Sequence, residues 1–377
     1  MKICFFNSIE QIGRKAWNDC FPDELERFDH FLALEKSELP DFSWGYLILS
    51  QNEKTIAAVS LFFTEYSLET TVQGYYKNIL ISLKKLFPSL LTLKLICLGS
   101  PETEHCYLGF HPSIKESEKP RLLKKLLGAF EKKAKELGYS LLAIKDVPET
   151  LKPLWDQIAS KRGFKSMTSL PTGILKIEFS SIEEYLKKLS YSTRKDIRRK
   201  MRKFKDLRVE LKNNIDDVIG PMMEMYQDTK NRSEWTFEDL TEKYFSGALE
   251  LMKECSLCVL YYAGEQPIGF NLLYLDQRRM IDKFFCMNSA IGRKFNLYFL
   301  SWMTNVKLCI EKGIKCYQSG QVGYENKIRL GSYLLPNWIY FKHRNPLINA
   351  ILRLLSPIFE VDNKSLLNDF QKHELPE

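Results

Sequence analysis

ELGYSLLAIKD (136–146) and EKGIKCYQSGQ (311–321) read as one passage written twice. Each starts as the charged end of a helix, meets a glycine (Gly138, Gly313) and passes at once into a short strand. Glycine ends helices because it takes the left-handed C-terminal conformation without strain. Upstream, the apolar spacing predicts long helices over Pro120–Leu137 and about Lys294–Lys312. Downstream, strands are predicted over Ser140–Lys145 and Ile314–Gln318. A helix feeding directly into a strand is half of an α/β crossover, and this chain has two.

The surroundings repeat as well. The first half opens with helical patterns over Ile9–Trp17 and 21–40, then strands Trp44–Leu49, Thr55–Phe63 and Leu91–Leu98. After its crossover come a helix over Thr150–Lys161, Gly163 and a strand over Gly173–Phe179. The second half has helices over Asp216–Lys230 and Thr236–Lys253, then strands Leu257–Tyr262, Ile268–Leu275 and Met280–Asn288 joined by turn sequences. A short helix Tyr324–Leu330, Gly331 and a strand Leu335–Lys342 close it. The repeated order predicts an α/β fold with mixed (α+β) sheets in two similar domains, over 1–180 and 211–345. Between them lies a basic junction helix, 181–210, and after them an apolar C-terminal helix and tail, 346–377.

At 377 residues with 45% apolar content, the chain is long enough for two real cores. No apolar run is long enough to span a bilayer, and no signal peptide is evident at the N-terminus. Nine scattered cysteines fit a reducing, cytoplasmic setting. Cys255 and Cys258 form the one C-x-x-C, on a strand where positions three apart face opposite ways. The five histidines show no ligand spacing, so no metal is expected.

Charge is concentrated. Lys187–Arg208 holds eleven Lys or Arg against Asp196 and Asp206, a balance of +9 in a chain of net +8. Ile197, Met201 and Phe204 form one apolar stripe, and Thr193 with Asp196 fits a capping box that starts the helix at Ser192–Thr193. Such a block faces phosphate, nucleic acid or an anionic membrane, or is a solvated helix face. Aromatics interleave poorly with it, against a single-stranded nucleic-acid platform. The loop GSPETEHCYLGFHPS (99–113), with two histidines, acids and aromatics, is a candidate binding wall. Pro346–Phe359 is apolar with one charge, Arg353; it packs on the body, binds a partner or makes a peripheral membrane contact.

FLALEKS (31–37), IAAVSLFF (56–63), GSPETEHCYLGFHP (99–112), STRKDIRRK (192–200) and SGQVGYENKIRLGS (319–332) stand in an order that resembles the GNAT acyltransferase fold. A tandem pair of such domains is similar to the FemAB-like, or BioF2-like, acetyltransferase families, over about residues 9–345. The resemblance implies an N-acyltransferase, with acetyl-CoA or another acyl-CoA as donor and a small-molecule or peptide amine as acceptor. The alternative it implies is aminoacyl-tRNA-dependent transfer to a peptidoglycan precursor, with tRNA as the one nucleic-acid partner. A non-catalytic module that binds phosphate or nucleic acid is the reading from another class.

The acyl-CoA turn of such enzymes reads R/Q-x-x-G-x-G/A. Here it is Asn288-Ser-Ala-Ile-Gly-Arg-Lys294, with Gly292 matching. A helix N-terminus offers free N–H groups and a positive dipole end, so Asn288, Ser289, Gly292, Arg293 and Lys294 are the donor-site candidates; the other reading is a plain helix start. Tyr324-x-x-Lys327-x-x-Leu330-Gly331 resembles the Y/F-x-x-K-x-x-F/L-G element of Fem-like proteins. It adds Lys327 and Gly331 to the donor site and makes Tyr324 a candidate acid. Asp282, just before the turn, is the first candidate base, with Glu325 and His111 behind it; the bland reading of Asp282 is a partner for Arg278 or Arg279. Glu104, His105, Arg194, Arg198, Arg199 and Gln318 are the substrate-binding candidates.

Overall fold

The computed structural model describes residues 1–67, 92–233 and 237–357. The expected strand start at Leu91, the helix start at Thr236 and the tail beyond 357 lie outside them. In chain order the strands of the first part are β1 (Lys2–Phe6), β2 (Ser43–Gln51), β3 (Lys54–Ser67), β4 (Thr92–Leu98), β5 (Leu108–Phe110), β6 (Leu141–Pro148) and β7 (Lys165–Lys176). Then follow β8 (Arg208–Lys212), β9 (Ser256–Ala263), β10 (Gln266–Leu275), β11 (Arg279–Met287), β12 (Cys316–Gly320) and β13 (Tyr333–His343). The helices used below are α1 (Arg14–Asn18), α2 (Phe28–Lys36), α3 (Lys119–Glu136), α4 (Lys152–Ala159), α5 (Ile182–Lys188) and α6 (Tyr191–Met201). They continue with α7 (Ile219–Arg232), α8 (Glu242–Leu251), α9 (Ser289–Gly292), α10 (Leu297–Lys312), α11 (Tyr324–Arg329) and α12 (346–357).

The chain forms two compact units. One comprises Met1–Phe31, Pro40–Leu170 and Pro336–Glu377, the other Leu32–Leu39 and Pro171–Leu335.

In the first unit the sheet order is β1-β2-β3-β4-β6-β13, with β5 beside β3. All neighbours are antiparallel except β4 and β6, whose parallel pairing requires the crossover that α3 supplies. Leu122, Leu123, Leu126, Leu127, Phe130 and Ala134 line one face of α3 and pack into a core with Leu47, Leu61, Ile96 and Ile144. Gly138, with φ +77°, ends the helix as its sequence position requires.

The second unit repeats this topology as β8-β9-β10-β11-β12-β7, with β11 and β12 the parallel pair and α10 the crossover. Ten of the sixteen residues of α10 are buried, so this helix is covered nearly all round. The strands that close the sheets come from unexpected places. Gly173–Lys176 of β7 pair with β12 in the second unit, and Asn337–His343 of β13 pair with β6 in the first. A linear reading gives each half its own last strand; strand pairing at such sequence distance leaves no local signal.

Smaller departures have local causes. The expected helix from Lys294 starts at Leu297, because Asn296 takes a left-handed φ of +55° and separates the single turn α9 from α10. Ser190, not Thr193, caps α6: its Oγ accepts the Thr193 amide at 3.2 Å, and Thr193 itself is buried. The last residues of the basic stretch form a 3₁₀ helix over Arg202–Asp206 and then β8, an edge strand on β9, rather than continuing the α-helix.

Candidate active site

In the second unit β11 and β12 run side by side for three pairs, Arg279–Cys316, Met280–Tyr317 and Ile281–Gln318. β11 then continues to Met287 without β12. A bulge lies at the same level, where the pairing of β10 skips Lys283 between Asp282 and Phe284. The two parallel strands therefore separate at Asp282. Beyond it, main-chain groups on one side of β11 face away from any strand, which makes this a place where a ligand can be held by backbone.

Asp282 is half-buried and held by neutral donors. Asn271 Nδ2 reaches both carboxylate oxygens, at 2.9 and 3.0 Å. Asn305 Nδ2, from α10, and the Tyr317 hydroxyl, from β12, reach Oδ2 at 3.0 and 2.9 Å. Tyr261 donates to Asn271 Oδ1 at 3.0 Å and so fixes that amide. Burial first, and then the Asp282 charge, hold the Tyr317 phenol well above its ordinary range. Burial and the same charge act on Tyr298, which also stays protonated. The Tyr298 hydroxyl is buried without a hydrogen-bond partner, and its ring packs edge-on against Phe285 on the separated part of β11, centroids 5.9 Å apart. Tyr298, Asn271, Asn305 and Tyr317 are absent from the sequence-derived set, because strand pairing and helix docking bring them near Asp282 and leave no local signal.

The turn after β11 differs from expectation in one respect. Most of its amides are already used: Asp228 Oδ2 accepts the Ser289 amide at 2.5 Å, Asn288 Oδ1 accepts Ile291 at 3.1 Å, and the amides from Gly292 to Asn296 bond to carbonyls within the turn. A carboxylate thus sits at the start of α9, where a free-amide anion cradle was expected. Gly292 packs tightly against Met287: a Cβ there would lie 2.8 Å from Met287 Sδ, so that side chain would have to shift. Arg293 and Lys294 remain exposed, and α10 begins three residues after Lys294; the Phe299 amide donates to Asn296 O at 3.0 Å, and the Leu297 and Tyr298 amides before it precede the first intrahelical bond.

The residues after β12 build a clamp. Gly320, Val322 and Gly323 all have positive φ, so the turn is strained at Val322. Lys327 is buried and its Nζ donates to Gly320 O at 2.8 Å and Gln321 O at 3.0 Å, holding that turn. Tyr324 is buried with its hydroxyl on Pro171 O at 2.9 Å, and Gly331 has φ +90°. Gln318 is buried in β12 opposite Ile281, one residue from the point of separation. Glu325 is exposed on the outer side of α11.

The basic helix is part of the second unit and is pinned to it. Ile197 is fully buried, and Arg329 Nη2 donates to Asp196 at 2.8 Å. Arg194 caps the end of α5 through Leu189 O at 2.9 Å; Arg198 pairs with Glu183 and Arg199 with Asp196, each at 2.7 Å. Lys203 donates to Lys294 O, and Lys200 Nζ lies 3.3 Å above the Phe299 ring. Lys203 and Lys294 are thereby neighbours, and Arg202 and Arg293, next to them in sequence, are exposed as well.

Glu104, His105 and His111 belong to the first unit. There β4 and β6 also separate, after Leu98–Ile144, but the chain itself fills the gap: Cys106 N donates to Asp146 O at 2.8 Å and Lys145 Nζ to Thr103 O at 2.7 Å. Ser100, Thr103, Cys106 and Tyr107 are buried in this plug, with Glu104 and His105 at its half-exposed tip. His111 is turned to Ser113, whose amide its Nδ1 accepts at 3.1 Å. Among the described residues no cluster of His, Cys, Asp or Glu is placed to hold a metal ion.

A family model named FemAB-like, described as peptidoglycan biosynthesis/recognition, matches residues 109–357. No curated protein matches the chain. Solved structures share its fold. A tandem GNAT protein from the clavulanic acid biosynthesis pathway aligns at 9% identity and TM-score 0.54, covering 92% of this chain and 99% of its own. FemX aligns at 13% identity and TM-score 0.52, covering 86% and 98%. L-PGS from Bacillus licheniformis aligns at 10% identity and TM-score 0.52, covering 90% and 97%.

Proposed function

Because the chain belongs to the FemAB-like family of GNAT-fold acyltransferases, we propose that its second unit moves an acyl group onto an amine at the point where β11 and β12 separate. The observation that carries the reading is the position of Asp282, the first residue past the last β11–β12 pair, in a net of fixed donors. The acceptor nitrogen attacks the donor's carbonyl carbon, forming the C–N bond. Asp282 takes the proton that the amine loses. A main-chain N–H of the unpaired part of β11 meets the oxyanion. As the C–O or C–S bond breaks, Tyr298, whose ring packs on Phe285 of the separated strand, is the candidate to protonate the leaving oxygen or sulfur. Most of the acceleration then comes from positioning in a site that carries no covalent intermediate.

For the donor we favour an aminoacyl-tRNA. Most amides of the 288–296 turn are spent within the protein, with Asp228 on Ser289, which disfavours a pyrophosphate cradle there. The exposed cations at Arg202–Lys203 and Arg293–Lys294, brought together by the Lys203–Lys294 contact, suit a longer run of phosphates. An acyl-CoA is the second reading, favoured by the N-terminus of α10 beside Arg293 and Lys294. A peptide amine on a peptidoglycan precursor is the acceptor class that agrees with the family. The nine free cysteines agree with a reducing, cytoplasmic setting.

The test offers the purified protein radiolabelled aminoacyl-tRNAs and acetyl-CoA in parallel, with a lysine-containing precursor peptide. Label transferred from tRNA supports the favoured donor, and label from acetyl-CoA moves the reading to the second. Transfer from neither, with RNA bound in a salt-dependent way, makes the chain a binding module.

A further inference from the structure

The helix α12 follows β13 on the first unit and carries two unlike faces. Leu352 and Ser356 are turned inward and buried. Leu347, Ile351 and Leu354 are 76%, 54% and 78% exposed, and with Leu355 they recur at spacings of four, three and one, a single outward stripe. Leucines more than three-quarters exposed in such a row are unusual for a surface that meets only water.

Charge along the segment has one sign. From Ser332 to Phe359 there is no Asp or Glu, while Arg344 and Arg353 are exposed at the start and within the helix. The helix is held firmly at its start. Asn345 Oδ1 accepts the Leu347 amide at 2.9 Å, Asn349 Oδ1 accepts the His343 amide at 2.9 Å, and the Arg344 amide donates to Ser140 O at 2.9 Å. Arg344 also reaches Tyr139 O at 3.3 Å, next to the half-exposed Leu137 and the exposed Lys135 at the end of α3. The result is a rigidly mounted apolar row edged by arginines.

We propose that this face rests on the surface of a bilayer containing anionic lipid, with Leu347, Ile351 and Leu354 in the acyl boundary and Arg344 and Arg353 among the headgroups. The described part of the helix, 346–357, is long enough to lie in a membrane interface, and among the described residues no helix is long and apolar enough to cross a bilayer. Arg344 and Arg353 select this occupant over a second copy of the chain, which would bring the same arginines face to face. The contact would keep the enzyme at the membrane whether its amine acceptor is soluble or lipid-linked, so it stands or falls apart from the acyl-transfer reading.

The test is co-sedimentation of the full chain with vesicles of phosphatidylcholine alone and of phosphatidylcholine with 30% phosphatidylglycerol, at about 0.1 M salt. Expected is binding at least tenfold stronger to the anionic vesicles. The Leu347→Ser, Ile351→Ser, Leu354→Ser variant should lose it, and Arg344→Glu, Arg353→Glu should remove the lipid preference. Since every substituted position is exposed, melting temperature and tRNA binding should stay unchanged, which separates lost membrane contact from lost folding. Equal binding to both vesicle types, no binding, or binding that survives the serine variant would overturn the proposal. So would light scattering that shows a dimer which the serine variant dissolves.

Discussion

Asn305 Nδ2 lies 3.0 Å from Asp282 Oδ2 and 3.0 Å from the Tyr317 hydroxyl, while its Oδ1 is buried without a partner. One amide on the crossover helix therefore fixes both the carboxylate at the end of the β11–β12 pairing and the tyrosine beside it. An asparagine whose acceptor goes unused is kept for its donor. Asn305→Leu should leave the helix packed yet free the carboxylate to turn. We expect kcat to fall about tenfold with KM nearly unchanged, as a positioning role requires. A KM change with constant kcat would mean that Asn305 contributes to substrate binding instead.

Tyr298 carries a buried hydroxyl that the folded chain leaves unbonded. An unmade hydrogen bond lowers stability, so Tyr298→Phe should be neutral or stabilising by up to about 1 kcal/mol. Activity should move the other way, with kcat down at least tenfold. Loss of both stability and activity would assign the hydroxyl to structure, and urea melts with steady-state kinetics distinguish the cases.

Lys327 holds two carbonyls of the strained turn that leads into α11. Lys327→Met keeps the aliphatic stem and strips the donors, which should cost about 1–3 kcal/mol in a denaturant melt. Donor affinity should change less than twofold. A large loss of donor binding with unaltered stability would return the lysine to the phosphate site.

Asp196 gives a pH dependence. Lys200 first, then Arg199 and Arg329, hold its carboxyl down at about 2, from an ordinary 3.8. The folded value lies below the unfolded one, so the ionised group contributes stability at and above about pH 4, and the contribution disappears as pH falls toward about 2. Asp196→Asn should accordingly lower the urea midpoint at pH 6 and converge with wild type near pH 2. A gap independent of pH would show that the ion pairs contribute little.

The repeat of helix, glycine and strand made the fold class legible, because Gly138 and Gly313 mark helix ends by a conformation that few residues take. Asp282 was visible through its place before a turn. Its partners were not: Asn271, Asn305 and Tyr317 come together through strand pairing and helix docking across many residues. The motif residues Tyr324 and Lys327 were noticed for their spacing, and the structure puts their polar ends on backbone carbonyls. Arg198 and Arg199 looked free in a run of cations, yet Glu183 and Asp196 lie within reach. Sequence shows which residues carry charge, and only the fold shows which of them are spent.

The central claim rests on Asp282, and single-turnover transfer from aminoacyl-tRNA to an amine tests it most directly. Asp282→Asn preserves size and hydrogen-bonding shape and removes the base. The rate should fall about 10²–10⁴-fold while tRNA affinity stays within twofold of wild type. Transfer by Asp282→Asn at the wild-type rate would contradict the assignment and place the chemistry elsewhere on the chain.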